Sequence, residues 1–110
     1  PVQTGGTGWR MWRVEAGTGS QLQTVDGVEL TAQATDLRRK TFYTYRADAP
    51  LTLRVGRDNV GEIGLHEVLL QCRRGDSLVV ILPAHLAHGV AGDLGKIPPM
   101  SPVVYYLRVR

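Results

Sequence analysis

The chain has a single cysteine, few aromatic residues (6% of 110) and no strong excess of charge of either sign. One thiol, Cys72, excludes an internal disulfide and a thiolate-rich metal site, and it is predicted to be a small core residue. No apolar run approaches ~18 residues, so no membrane span is predicted. The 13 basic residues exceed the 10 acidic ones only slightly and are scattered, which argues against a nucleic-acid surface.

The remaining composition is that of one globular domain, with 43% apolar and 21% charged residues in 110. The Gly/Thr-rich residues 1–8 are predicted to be a flexible lead-in, and residues 9–110 to form the folded domain. The chain starts at Pro1 without Met, so we expect a processed or trimmed product whose targeting segment, if any, lies outside it.

Alternation of apolar and polar residues predicts most of the strands. Residues 28–34 place Val28, Leu30, Ala32 and Ala34 on one face and polar side chains on the other, which is typical of a half-buried strand. The same reasoning predicts strands at residues 9–14, 41–45, 51–55 and 103–110. Trp9 and Trp12 have opposite parity, so one is expected in the core and the other at the surface.

The period changes in the second half of the chain. Leu65, Val68, Leu69 and Cys72 follow the spacing of an amphipathic helix. Residues 77–82 are apolar after Ser77 and predict a central strand covered on both faces. A short helix is predicted from Pro83, with Gly89 as its cap. The fold class is therefore α+β, an antiparallel sheet of about five or six strands with one helix packed on it.

The order of these parts resembles a known family. The last third of the chain resembles the FK506-binding-protein (FKBP) class of peptidyl-prolyl cis–trans isomerases. The resemblance rests on Gly75-Asp76, an apolar strand, Leu82-Pro83, a short helix ending in Gly89, and Ile97-Pro98-Pro99 before a last strand. The resemblance implies a strongly curved antiparallel sheet wrapped around one short helix. It also implies an apolar pocket for a proline ring between sheet, helix and loops.

Carried over position by position, the resemblance implies a substrate-binding set. Phe42 and Ile97 stand as retained wall residues, and Tyr105 stands where the family has another aromatic residue. Leu51 replaces a phenylalanine of the family. The segment whose backbone contacts the bound peptide corresponds to Val60 and Gly61.

Four positions depart from the family pattern. Tyr43 stands in place of an aspartate, Leu65 in place of the tryptophan at the pocket floor, and Ala32 and His88 in place of tyrosines. Tyr43 and His88 are the candidate catalytic residues. His88 has three alternative roles: an N–H donor to the peptide carbonyl, a structural residue of the short helix, or a metal ligand together with His85.

The expected function is an FKBP-type peptidyl-prolyl cis–trans isomerase with a divergent pocket, which needs no cofactor and no metal. Its expected partners are proline-containing segments of client proteins. The alternative is a non-catalytic proline-peptide-binding or scaffold subunit of an envelope complex. The strings Gly64-Leu65-His66-Glu67, 85–89 and Gly92-Asp93 resemble cell-envelope FKBP-like proteins of Bacteroidetes linked to gliding and type IX secretion. This likeness implies a periplasmic or envelope location, with a lipid anchor through the missing N-terminus.

Overall fold

A computed structural model describes residues 2–56, 63–87, 97–98 and 100–110. In these ranges, seven strands form one antiparallel sheet, one more than the upper number predicted. The strands are β1 (Val2–Thr4), β2 (Arg10–Glu15), β3 (Gly27–Thr35), β4 (Thr41–Tyr45), β5 (Leu51–Arg54), β6 (Ser77–Leu82) and β7 (Val103–Val109). The helix α1 spans Ile63–Leu69, and a 3-10 helix spans Ala84–Leu86.

The strand order is β1-β2-β6-β7-β3-β4, and β5 pairs with β3 beside β4. Strand β1 was not predicted, because it lies inside the residues expected to form a flexible lead-in. It pairs with β2 in the register Val2↔Trp12. This pairing satisfies backbone groups at the sheet edge without requiring any apolar periodicity in β1. The predicted boundary between a lead-in of residues 1–8 and a folded domain of residues 9–110 stays a prediction.

The inner face of the sheet carries the core. Val28, Leu30, Ala32 and Ala34 of β3 are all buried, as their alternation predicted. The stripe on α1 is buried as well, and α1 packs against β6 and the 3-10 helix. These strands, this helix and the burial pattern confirm the predicted fold class.

The structure decides two predictions about which side chains are buried. Trp9 is the core tryptophan, only 7% exposed, whereas Trp12 is 37% exposed on the opposite face of β2. Strand β6 was predicted to be covered on both faces, and this was wrong. Its side chains alternate between buried and half-buried, because α1 covers only the inner face.

Candidate functional site

A β-bulge shapes the wall of the candidate site. Thr41 pairs with Thr35 and Tyr43 pairs with Ala34, so Phe42 is the extra residue of β4. A bulge re-aims the side chains beside it and increases the local twist. Phe42 is buried, and the half-buried Tyr43 also packs on the core. Two consecutive side chains of β4 therefore both contribute to the interior.

The Tyr43 ring lies next to Tyr45, two residues further along β4. Their ring centroids are 6.1 Å apart and their planes are inclined by 25°, so the two rings stack. Both rings pack against the edge of the core. The position at which the resemblance implies an aspartate is thus occupied by an aromatic side chain held by a second aromatic ring.

Leu65 is brought to the core by α1 and has no exposed surface. The helix approaches the sheet closely at the preceding residue, Gly64. A Cβ atom at Gly64 would lie 2.8 Å from Leu82 Cδ2 and 2.8 Å from Leu86 Cβ. The absence of a side chain at Gly64 therefore allows α1, and Leu65 with it, to lie directly over β6 and the 3-10 helix.

The remaining predicted residues come from three further parts of the chain. Tyr105 of β7 is opposite Ala34 in β3, and Ile97 lies in the segment before β7. Phe42, Leu65, Ile97 and Tyr105 belong to one buried apolar cluster. Leu51 is partly buried and packs against that cluster. Val60, Gly61 and His88, and with them the cap Gly89, lie outside the described residues.

The pocket residues that are described have almost no exposed surface. The relative exposures are 4% for Phe42, 0% for Leu65, 2% for Ile97 and 2% for Tyr105. The cluster is therefore shielded from solvent, and the half-buried Tyr43 packs against it. Apolar surface of this kind accepts an uncharged ring and disfavours a charge-separated group.

His66 is a residue whose role the sequence did not indicate. It follows Leu65 on α1 and is 7% exposed. The backbone N–H of Gly56 donates to His66 Nδ1 at 2.8 Å, so the proton of the neutral ring is on Nε2. Nε2 is buried and has no hydrogen-bond partner among the described residues. The contact joins the end of β5 to α1, and thereby holds both ends of the segment that contains Val60 and Gly61.

His85 lies on the 3-10 helix and has a structural contact. Its Nε2 lies 2.8 Å from the carbonyl oxygen of Thr7, which connects this helix to the turn before β2. Within the described ranges, no group of three or more His, Cys, Asp or Glu side chains is placed to hold a metal ion. The alternative of a His85–His88 metal site involves His88, which lies outside those ranges.

An ion pair between the buried Asp76 and the more exposed Arg13 supports the base of the fold. Asp76 accepts hydrogen bonds from Gly17 N at 2.7 Å, Arg73 N at 2.9 Å and Arg13 Nε at 3.2 Å. Burial by itself would raise the pKa of Asp76, but the two amides and the guanidinium outweigh it and hold that pKa below its ordinary value. The carboxylate thus stays ionised and ties β2 and the following loop to the turn before β6.

Cys72 lies close to this pair and is fully buried, as predicted. Its Sγ is 3.3 Å from the carbonyl oxygen of Val68 and 3.9 Å from Met11 Sδ. Burial, with a smaller contribution from the negative charge of Asp76, raises the pKa of the Cys72 thiol to about 12. A thiol of this kind is not a nucleophile at neutral pH.

Comparison with known proteins gives a family and several similar structures. The family described as "FKBP-type peptidyl-prolyl cis-trans isomerase" matches residues 19–110. None of the curated proteins compared with the chain matches it. No helix in the described part of the chain is long and apolar enough to cross a membrane.

Among solved structures, FkpA from Escherichia coli matches with a TM-score of 0.85 and 30% identity. The match covers 98% of this chain and 49% of FkpA, so the chain spans about half the length of that protein. A peptidyl-prolyl cis-trans isomerase from Pseudomonas syringae matches with a TM-score of 0.86 and 21% identity, covering 98% and 77% of the two chains. The N-terminal domain of FKBP42 from Arabidopsis thaliana gives 0.88 and 19%, covering 99% and 89%. The last two likenesses bear on the fold alone.

Proposed function

The chain belongs to the FKBP-type peptidyl-prolyl cis–trans isomerase family, and from this premise we propose that its apolar cluster is the site that accelerates rotation about X–Pro bonds. The observation that carries the proposal is the convergence of Phe42, Leu65, Ile97 and Tyr105, from separate parts of the chain, in one cluster. Family membership shows the class of enzyme. The residues that act, the clients and the location are the proposal.

The reaction requires no nucleophile, metal or general base. Resonance in the planar amide sets a rotation barrier of roughly 18–20 kcal/mol, and the twisted transition state carries less charge on its carbonyl oxygen. An apolar site therefore destabilises the planar form relative to the twisted form. Each tenfold acceleration requires about 1.4 kcal/mol of such preference.

The proposed roles follow from position and chemistry. Phe42, Ile97 and Tyr105 form the wall of the proline pocket, with Leu65 at its floor. The Tyr43 ring borders its entrance, since Tyr43 is half-buried and packs on the cluster edge. Leu51 extends the apolar wall.

Two further roles fall on residues outside the described ranges. The backbone of Val60 and Gly61 contacts the peptide, and the imidazole N–H of His88 donates to the peptide carbonyl. His66 acts indirectly, because its contact with Gly56 holds the start of the Val60 segment.

A protease-free isomerisation assay on a panel of X–Pro peptides tests the proposal. We expect acceleration for at least one residue X, and a lower kcat/KM for His88→Ala. His85→Ala is the matched control, since it removes an exposed histidine three positions earlier whose contact is with Thr7. No acceleration for any peptide would refute catalysis. Equal rates for wild type and His88→Ala would refute the donor role alone.

A non-catalytic proline-peptide-binding module is the second candidate. It is favoured by the exchanges at Tyr43 and Leu65, which stand where the family has an aspartate and a tryptophan. Titration with a proline peptide, followed calorimetrically, separates the two. Binding without rate acceleration would support the module, whereas binding with acceleration would support the enzyme.

The proposed clients are proline-containing segments of envelope or secreted proteins. The likeness of the strings around residues 64–67 and 85–89 to envelope FKBP-like proteins supports this location. A lipid anchor and a secretion complex as partner belong to the same proposal. Fractionation of the native cell, with antibody to this domain, tests it. Recovery in the cytosolic fraction would contradict it.

A further inference from the structure

The outer face of the sheet, opposite α1, carries an unusually apolar row. Trp12 of β2 pairs with Val79 of β6, and Val79 pairs with Tyr106 of β7, so the three side chains lie side by side. The adjacent row brings Ile81 beside Val104. Outer faces of antiparallel sheets that are covered on one side only are usually polar. In this row Trp12 is exposed and Val79 and Tyr106 are half-buried, whereas Val104 of the adjacent row is buried. A partly exposed apolar row on such a face indicates a contact surface.

Exposure and grooves both support accessibility of this row. Trp12 is 37% exposed and Val14, the extra residue of the β2 bulge, is 70% exposed. A groove of about 430 Å³ is lined by Val14, Val79, Tyr106 and Arg108, among others. None of the described elements forms a second layer over it. We call Trp12, Val14, Val79 and Tyr106 the outer apolar row.

A second groove continues the same face toward the end of β7. Its volume is about 660 Å³, and it is lined by Glu29, Arg54, Arg74 and Arg110 in addition to apolar and backbone groups. Arg74 is held in place, because its guanidinium donates to the carbonyl oxygens of Gly27 at 3.0 Å and Arg110 at 3.2 Å. Arg110 lies 3.8 Å from Glu29. We call this the arginine groove.

Taken together, the two grooves are basic at one end and apolar at the other. Four arginines line them, Arg54, Arg74, Arg108 and Arg110, against the single carboxylate of Glu29 among the described lining residues. Arg108 lies where the outer apolar row meets the arginine groove. A ligand that covers both ends must therefore carry negative charge on one half and apolar side chains on the other.

We propose that the outer sheet face binds an amphipathic acidic segment of a partner polypeptide, with its carboxylates in the arginine groove and its apolar side chains on Trp12, Val79 and Tyr106. The interaction is independent of the isomerase site, which lies on the opposite face. A second copy of this chain is disfavoured, because self-association would bring the arginine-lined grooves of two positively charged molecules together. A nucleic acid is disfavoured too, because its phosphates would extend along the apolar row.

A synthetic peptide tests the proposal. The probe has about twelve residues, which span roughly 40 Å when extended and match the 36 × 33 Å dimensions of the domain. One half is rich in Glu and Asp and the other in Leu and Phe, and proline is left out so that the isomerase site is not engaged. The control peptide has Lys at every acidic position. Fluorescence anisotropy of the labelled peptide gives Kd, and emission of the exposed Trp12 reports its burial.

We expect saturable binding of the acidic peptide, which weakens as salt is added, and no binding of the control peptide. Arg108→Glu should weaken binding by about tenfold or more, since it replaces attraction with repulsion at the centre of the surface. Lys40→Glu is the matched control, because it makes the same change of charge in the β3–β4 turn outside both grooves. Trp12→Ser should abolish the emission change while the circular dichroism and isomerase rate stay those of the wild type.

Several results would overturn the proposal. These are no saturation by the acidic peptide, or equal loss of binding in Arg108→Glu and Lys40→Glu. Self-association in analytical ultracentrifugation that Trp12→Ser abolishes would assign the face to a second copy instead. Binding of anionic vesicles or single-stranded RNA that depends on Arg108, without binding of the acidic peptide, would assign it to another class of partner.

Discussion

Tyr43→Ala should lower kcat/KM for a good X–Pro peptide, whereas Tyr45→Ala should leave it nearly unchanged. The two rings stack on each other with centroids 6.1 Å apart, so either substitution removes the same aromatic pair. That pair contributes about 1 kcal/mol, and loss of half-buried ring surface adds about 1 kcal/mol. Each variant should thus lose about 2 kcal/mol of unfolding free energy in urea, which a domain of typical stability tolerates.

Activity separates the variants, because only Tyr43 lies next to the bulged Phe42. If the Tyr43 ring contacts the twisted amide or the proline, its loss removes about 1.4–2.7 kcal/mol of transition-state binding, a tenfold to hundredfold fall in kcat/KM. Tyr43→Phe keeps the ring and should retain most of the activity. Equal falls for Tyr43→Ala and Tyr45→Ala, or no fall in either, would refute the assignment of Tyr43 to the site.

Three further predictions concern the scaffold. The pKa of Asp76 is lower in the folded than in the unfolded state, so the unfolded chain takes up the proton first as pH falls. The stability that the ionised Asp76 contributes is therefore fully present above the ordinary Asp pKa of about 3.9. It is lost as pH falls through the lower pKa of the folded state. Asp76→Asn should cost about 2–3 kcal/mol at pH 7 and flatten that acid limb of urea stability; an unchanged limb would contradict this. Cys72 should be inert to a thiol reagent at pH 8 until urea unfolds the domain, given a pKa raised to about 12; rapid native labelling would contradict this. Gly64→Ala should destabilise the fold, because the new Cβ would lie 2.8 Å from Leu86 Cβ. This clash should outweigh the helix-propensity gain of about 1 kcal/mol. A gain in urea stability would instead show that the helix shifts freely.

Local patterns were sufficient to predict the regular elements other than β1. β4 begins and ends at the predicted residues, Thr41–Tyr45. The helical stripe is buried as predicted, although α1 ends at Leu69 and Cys72 reaches the core from the following turn. Such patterns predict helices and strands because the buried face of each element requires apolar side chains at a regular spacing in the sequence. Strand β1 has no such period, since its pairing with β2 uses backbone groups alone.

The candidate site depends on features that a pattern does not contain. Alternation in β4 assigns Phe42 and Tyr43 to opposite faces, and only the bulge, a property of the pairing with β3, brings both to the core. The role of His66 depends on the path of the chain between Gly56 and α1, because its partner is a backbone N–H ten residues earlier. The sequence could propose site residues by resemblance, whereas their mutual packing required the tertiary structure.

The exchanges at Leu65 and Tyr43 are expected to compensate each other. Leu65 has no exposed surface at the position where the resemblance implies a tryptophan, and Tyr43 packs on the same cluster. Leu65→Trp alone should therefore overpack the core and cost about 1–3 kcal/mol. If the Tyr43 ring fills the space in question, Leu65→Trp combined with Tyr43→Ala should cost less than the sum of the single changes, with an interaction energy of about 1 kcal/mol or more in a urea double-mutant cycle. Strict additivity would show that the two side chains occupy separate spaces and that the aromatic ring at position 43 was not selected to replace the tryptophan.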